Sequence, residues 1–82
     1  MSAYKKLGEL QKGQSGKIVK IHTSDDLDLV KRMMEMGLIE GSEVHIVHES
    51  PFGGDPIAVR SRGAIIALRR SEANLLEVLM NE

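Results

Sequence analysis

The sequence predicts a mainly β domain with one α-helix: a small, partly open barrel of five strands, with the helix inserted between strands 1 and 2. Three observations predict it. Apolar residues alternate at period two through 43–47, one segment over 25–36 carries the 3.6-residue period of a helix, and the other apolar residues fall in short blocks punctuated by glycine and proline. A chain of 82 residues has room for one core only. Closing its sheet would limit exposed strand edges in a domain with no disulfide to restrain it.

Each element follows from local chemistry. Leu7 and Leu10 sit three apart in a short amphipathic turn, and Gly13 and Gly16 punctuate the chain before a first strand over 16–22. Thr23, Ser24, Asp25 and Asp26 supply capping groups and first-turn carboxylates for a helix over 25–36. Gly37 is its left-handed stop, and Leu38 can fold back on Met33 or Met34 in a Schellman closure. Residues 39–42 make a turn. Val44 and Ile46 then alternate with more polar neighbours in a second strand over 43–49. Residues 50–56, with two glycines and two prolines, form a loop. Residues 57–60 and 64–68 pair as a hairpin around Arg62-Gly63, residues 71–74 make one helical turn, and residues 75–79 close as the fifth strand.

Composition excludes several function classes. The longest uncharged apolar run, residues 63–68, is far short of the roughly 20 residues that span a bilayer, and no apolar leader follows Lys5-Lys6, so a cytoplasmic protein is expected. Zero cysteines remove disulfides, thiolate metal sites and cysteine nucleophiles. Eleven Lys and Arg against twelve Asp and Glu leave a net charge of -1, so any contact with nucleic acid or anionic lipid would need a local patch. An aromatic content of 2%, Tyr4 and Phe52, removes the stacking platform of single-strand binders and the aromatic groove that proline-rich ligands need.

The helix carries the most informative pattern. Leu27, Val30, Met34 and Leu38 cluster on one stripe, and Leu29, Met33 and Met36 form a second beside it. A small barrel can bury one stripe fully, so the first is expected to enter the core and the second to remain partly exposed as a docking surface. Alternatively, Tyr4, Leu7 and Leu10 cover that flank. Arg60 and Arg62 share a strand face, and Arg69-Arg70 end the next strand; the pattern fits a solvated strand face first, and otherwise a local basic edge for an acidic protein partner or a phosphate. The Phe52 loop is a further partner-binding candidate.

Other motifs lead to no chemistry. Residues 8–15 nearly spell a phosphate-binding loop, but Gln14 replaces the essential lysine and a strand follows where a helix should. Five methionines suit Cu(I) rather than Fe(II). His45 and His48, three apart on a strand, are expected on opposite faces, and His22 ends another strand. No metal ligands, cofactor or catalytic residues are assigned, and no enzymatic activity is expected.

One series ties these pieces together: Leu7-x-x-Leu10-x-x-Gly13-x-x-Gly16-x-Ile18, then Met36-Gly37-Leu38-x-x-Gly41-x-x-Val44, then Pro51-x-Gly53-Gly54-Asp55-Pro56, then Gly63-x-x-x-Ala67-Leu68-Arg69-Arg70-x-Glu72-Ala73. In order and spacing it resembles the FeoA family over about residues 4–79. The resemblance implies an SH3-like barrel that assists the membrane ferrous iron transporter FeoB from the cytoplasm, without membrane insertion or nucleic acid. The same domain is appended to metal-dependent repressors, so a transcription-regulatory or nucleic-acid-binding barrel is one alternative and an Fe(II) metallochaperone another. The purified protein is expected to bind neither GTP nor Fe(II) at low micromolar affinity, which titration calorimetry checks. Tight stoichiometric binding of either would reverse the order of these readings.

Overall fold

The structure, a computed structural model, describes residues 3–81. Six antiparallel strands are present: β1 (Tyr4–Lys6), β2 (Ser15–Ile21), β3 (Glu43–Glu49), β4 (Ile57–Ser61), β5 (Ala64–Leu68) and β6 (Leu76–Met80). They form one sheet in the order β1-β6-β2-β3-β4-β5. A 3-10 turn (Leu7–Glu9) follows β1, the main helix α1 (Leu27–Glu35) joins β2 to β3, and a single helical turn α2 (Arg70–Ala73) joins β5 to β6. The mainly β class and the helix between the first two long strands are as the sequence predicts.

Strand β1 is the addition. Its three residues are all exposed and show no apolar alternation, so nothing in their own pattern marks a strand. The strand exists because β6 presents a free edge, against which Tyr4 pairs with Leu79 and Lys6 with Glu77.

Two bulges set which side chains face the core. In β2 the register with β6 shifts between Ile18 and Lys20, so Val19 is the extra residue and Ile21, rather than Lys20, turns inward. In β3 the shift falls between Ile46 and His48. His45 therefore pairs with Arg60 and His48 with Ala58, two positions on the same side of β4. The two histidines share a face, contrary to the alternation expected from an unbroken strand, because the bulge at Val47 resets the phase.

The core gathers Ile18, Met33, Leu38, Val44, Ile46, Val59, Leu68, Leu76 and Val78, each at most 2% exposed, with Leu7 and Leu10 sealing one end. The β4–β5 hairpin turns through two residues, Arg62 (φ 51°) and Gly63 (φ 80°), with Ser61 paired to Ala64. A left-handed arginine costs about 1 kcal/mol. Its side chain is held in compensation: Arg62 Nε donates to Ser42 Oγ at 3.1 Å, and its aliphatic stem lies against Gly37, where a Cβ would approach Arg62 Cδ to 3.2 Å.

Arg70 ties the two ends of the sheet together. Strands β1 and β5 are the two ends of the sheet, and the chain leaving β5 reaches back to the segment after β1 through this guanidinium and the packing of α2 on the 3-10 turn. Nη1 donates to the Gly8 and Leu10 carbonyls at 3.0 and 2.6 Å, Nε to the Gly54 carbonyl at 2.9 Å, and Nη2 to Glu49 Oε2 at 3.2 Å. Glu49 also accepts from the Lys12 amide at 2.5 Å, and Asp55 Oδ1 accepts from the Arg70 amide at 3.0 Å. Gly8 sits so close to α2 that a Cβ there would collide with the Arg70 carbonyl and the Asn74 side chain. Arg70→Ala is expected to destabilise by about 2 kcal/mol or more, since several charged hydrogen bonds vanish and Glu49 loses its partner. Arg70→Lys should recover less than half of that, because an ammonium lacks the planar fork. Urea denaturation measures both.

Candidate functional site

The candidate site is built on α1. Asp26 caps the helix by accepting from the Leu29 amide at 3.0 Å, and Ser24 Oγ accepts from the Asp26 amide at 3.1 Å. At the other end Gly37 has φ 94°. Its amide donates to the Met34 carbonyl and that of Leu38 to the Met33 carbonyl, both at 3.0 Å, the paired bonds of a Schellman motif.

This closure decides which stripe of the helix is buried, and the outcome reverses the expectation. Leu29 and Met33 are core residues, 8% and 1% exposed, and cannot form an exposed flank. Leu27 and Met34 lie outside, 73% and 49% exposed, with Val30 between them half-buried. The physical reason is the motif itself: the residue after the glycine packs beside the residue five before it, so a buried Leu38 draws Met33 into the core rather than Met34. That signal was present in the sequence. Met36, at the helix end, stays partly exposed as expected.

The outward stripe borders an apolar cleft of about 460 Å³, lined by Ile21, His22, Thr23, Val30, Met34, Ile39 and Glu40. The β2 bulge supplies Ile21, the helix supplies Val30 and Met34, and the turn after Leu38 supplies Ile39. Sequence reasoning missed Ile21 and Ile39 because they come from elements that only the fold brings to the helix. On the lip, His22 Nε2 lies 2.6 Å from Glu77 Oε1. That hydrogen bond, with the nearby positive charge of His22 and of Lys20 and Lys6, holds the Glu77 carboxyl below its ordinary range against a smaller opposing effect of burial.

The remaining candidates lie elsewhere. Phe52 is 88% exposed on the β3–β4 loop, beside a smaller hollow lined by His48, Pro51, Pro56, Ala58 and Ala67 among others. Arg60 is exposed on β4, while Arg62 belongs to the hairpin turn, beyond the strand end at Ser61. His45 and His48 share a face, yet Arg60 stands beside His45, an unfavourable neighbour for a cation. Among the described residues no group of three or more His, Asp or Glu is arranged to hold a metal. No helix among them is long and apolar enough to cross a membrane.

Fold and surface together define a small SH3-like β domain whose helix presents an apolar cleft. The FeoA domain matches residues 5–80, and the chain belongs to that family. Among solved structures it is similar to a FeoA-like protein from Clostridium acetobutylicum (32% identity, TM-score 0.76, covering 99% of this chain and 88% of that one). It is also similar to Stenotrophomonas maltophilia FeoA complexed with zinc (30% identity, TM-score 0.75, 96% and 88% covered). IdeR from T. acidophilum shares the fold at 21% identity and TM-score 0.78, with 96% of this chain and 35% of that one covered. No curated protein matches.

The two adjacent methionines of α1 provide a direct check of the helix face. Met33→Ala should cost about 2 to 5 kcal/mol as a core truncation, whereas Met34→Ser should change stability by no more than about 0.5 kcal/mol. Thermal melts of the two variants read the difference.

Proposed function

We propose that the chain is a non-enzymatic accessory protein of ferrous iron uptake that works in the cytoplasm by docking on the cytoplasmic portion of the transporter FeoB. Family membership supports the iron-transport role, and the S. maltophilia relative is described as a candidate activating factor for ferrous iron transport. The observation that carries the docking half is the cleft. Leu27, Val30 and Met34 keep an apolar stripe in contact with water although α1 has a second stripe that fills the core. A domain this small gains little by leaving such a surface bare unless another protein covers it.

The cleft suits a protruding apolar side chain of the partner. Its walls come from three elements held at fixed spacing by the cap at Asp26, the Schellman closure at Gly37 and the bulge at Val19. Met34 lines it with a flexible thioether side chain that adapts to the shape presented. Leu29 and Met33 contribute from beneath by seating the helix; Met36, Phe52, Arg60 and Arg62 are partner-binding candidates outside the cleft.

The test compares binding of FeoB, in detergent and as its soluble cytoplasmic portion, to variants first shown by thermal melts to be folded. Met34→Ser is expected to weaken binding by roughly tenfold or more, the effect of losing an apolar anchor in the cleft wall. Arg60→Ala with Arg62→Ala should matter less. The reverse order, with affinity falling steeply as salt rises, would favour the nucleic-acid reading, and undiminished binding by the serine variant would remove the cleft from the site.

A further inference from the structure

Strand β5 presents an open edge. In the two-residue hairpin Ser61 and Ala64 form the closing bonded pair, so Val59–Ile66 and Ile57–Leu68 are the next bonded pairs. Ile65 and Ala67 therefore aim their amides and carbonyls away from β4. Among the described residues no strand lies on that side and no hydrogen bond reaches those groups.

The two sheet edges are treated differently. The β1 edge carries Lys5 and Lys6, charges that discourage pairing, whereas β5 reads Ala64-Ile65-Ile66-Ala67-Leu68 with no charge and with Ile65 63% exposed. Around this uncharged centre stand Arg60, paired across from Ile65, Arg62 in the hairpin turn and Arg69 just past the strand end. Among the described residues none of these three is in an ion pair. Ala67 also lines the hollow of about 270 Å³ beside Phe52, so a side chain paired opposite Ala67 would sit next to an apolar recess.

We propose that the β5 edge accepts an extended segment of another protein, apolar at its centre and acidic at its ends, as an added antiparallel strand. Backbone amides and carbonyls of Ile65 and Ala67 hold it, Arg60, Arg62 and Arg69 select its charge, and the hollow takes one apolar side chain. A second copy of this chain fits less well. A twofold antiparallel pair centred on Ile66 would set Arg69 of one copy beside the Arg62-Gly63 turn of the other, placing like charges together. The inference stands apart from the helix cleft, and neither depends on the other.

The test uses the 82-residue chain and a synthetic peptide of alternating valine and threonine with aspartates at both ends, compared with the same peptide ending in lysines. Binding is followed by amide NMR shifts and hydrogen exchange. The acidic peptide should shift and protect the Ile65 and Ala67 amides, and the lysine peptide should bind roughly tenfold weaker or less. Ala67→Pro removes an outward amide without touching the β4 ladder and should abolish the protection. Arg60→Glu with Arg69→Glu, which leaves the backbone intact, should exchange the two peptides' order. Equal binding of both peptides, shifts centred on α1, no binding of either, or protection that grows with protein concentration alone, marking a second copy as the occupant, would each overturn the proposal.

Discussion

A single guanidinium ties the chain leaving one end of an open sheet to the chain leaving the other. Strands β1 and β5 are the two ends of the six-stranded sheet and do not pair with each other. Arg70 sits where the chain leaves β5 and bonds the carbonyls of Gly8 and Leu10, which follow β1, together with Gly54 in the long loop and Glu49 at the end of β3. Two stretches far apart in sequence, residues 8–10 and 49–54, meet on one side chain. Only arginine has enough donors, in a rigid enough plane, to serve them together. The same seam demands a residue without a side chain at Gly8, because α2 lies directly against that backbone. Leu7 and Leu10, fully buried on either side of the clamp, form the apolar end of the core that it seals.

The outer surface depends on irregularities in regular elements. An unbroken β2 would direct Ile18 and Lys20 to one face and leave Ile21 outside; the bulge at Val19 turns Ile21 inward, where it meets α1 and makes one wall of the cleft. A second bulge in β3 brings His45 and His48 to the same side of the sheet, next to Arg60 and Ala58. Each bulge is a residue inserted in one strand opposite a continuous partner, so its position depends on the register of two strands together. The hairpin at Arg62 shows the same dependence. Its left-handed conformation is unfavourable alone, but the side chain reaches Ser42 and covers Gly37, coupling the hairpin to the end of the helix.

The family supplies a frame in which these features acquire a use. A domain built of aliphatic residues and methionine, with 2% aromatics, has little means of gripping planar ligands, and its surface offers apolar recesses and backbone edges instead. Both are means of holding other proteins. The helix cleft would recognise shape and apolar character, whereas the β5 edge would recognise an extended backbone and the charge at its ends.

Much of this was legible along the chain. The helix, its caps at Asp26 and Gly37, the β3 alternation, the Arg62-Gly63 hairpin and the helical turn before β6 rest on local chemistry: side-chain capping, positive φ, and period. So does the family, whose pattern is a spacing of glycines and leucines. Three features were not legible. Strand β1 has no apolar pattern and forms because β6 offers an edge; the histidines share a face because of a register shift; and Arg70, read as part of a surface basic edge, proves to be the clamp. The helix face stands between the two groups, since Leu38 after Gly37 already implied Met33 as the buried partner, although both stripes were apolar enough to fill the core. Periodicity and capping belong to neighbouring residues, so the sequence by itself determined which elements exist; which of two apolar faces is buried, which strand gains an edge partner and which charge is enclosed depend on residues distant in the chain, and only tertiary packing decided them.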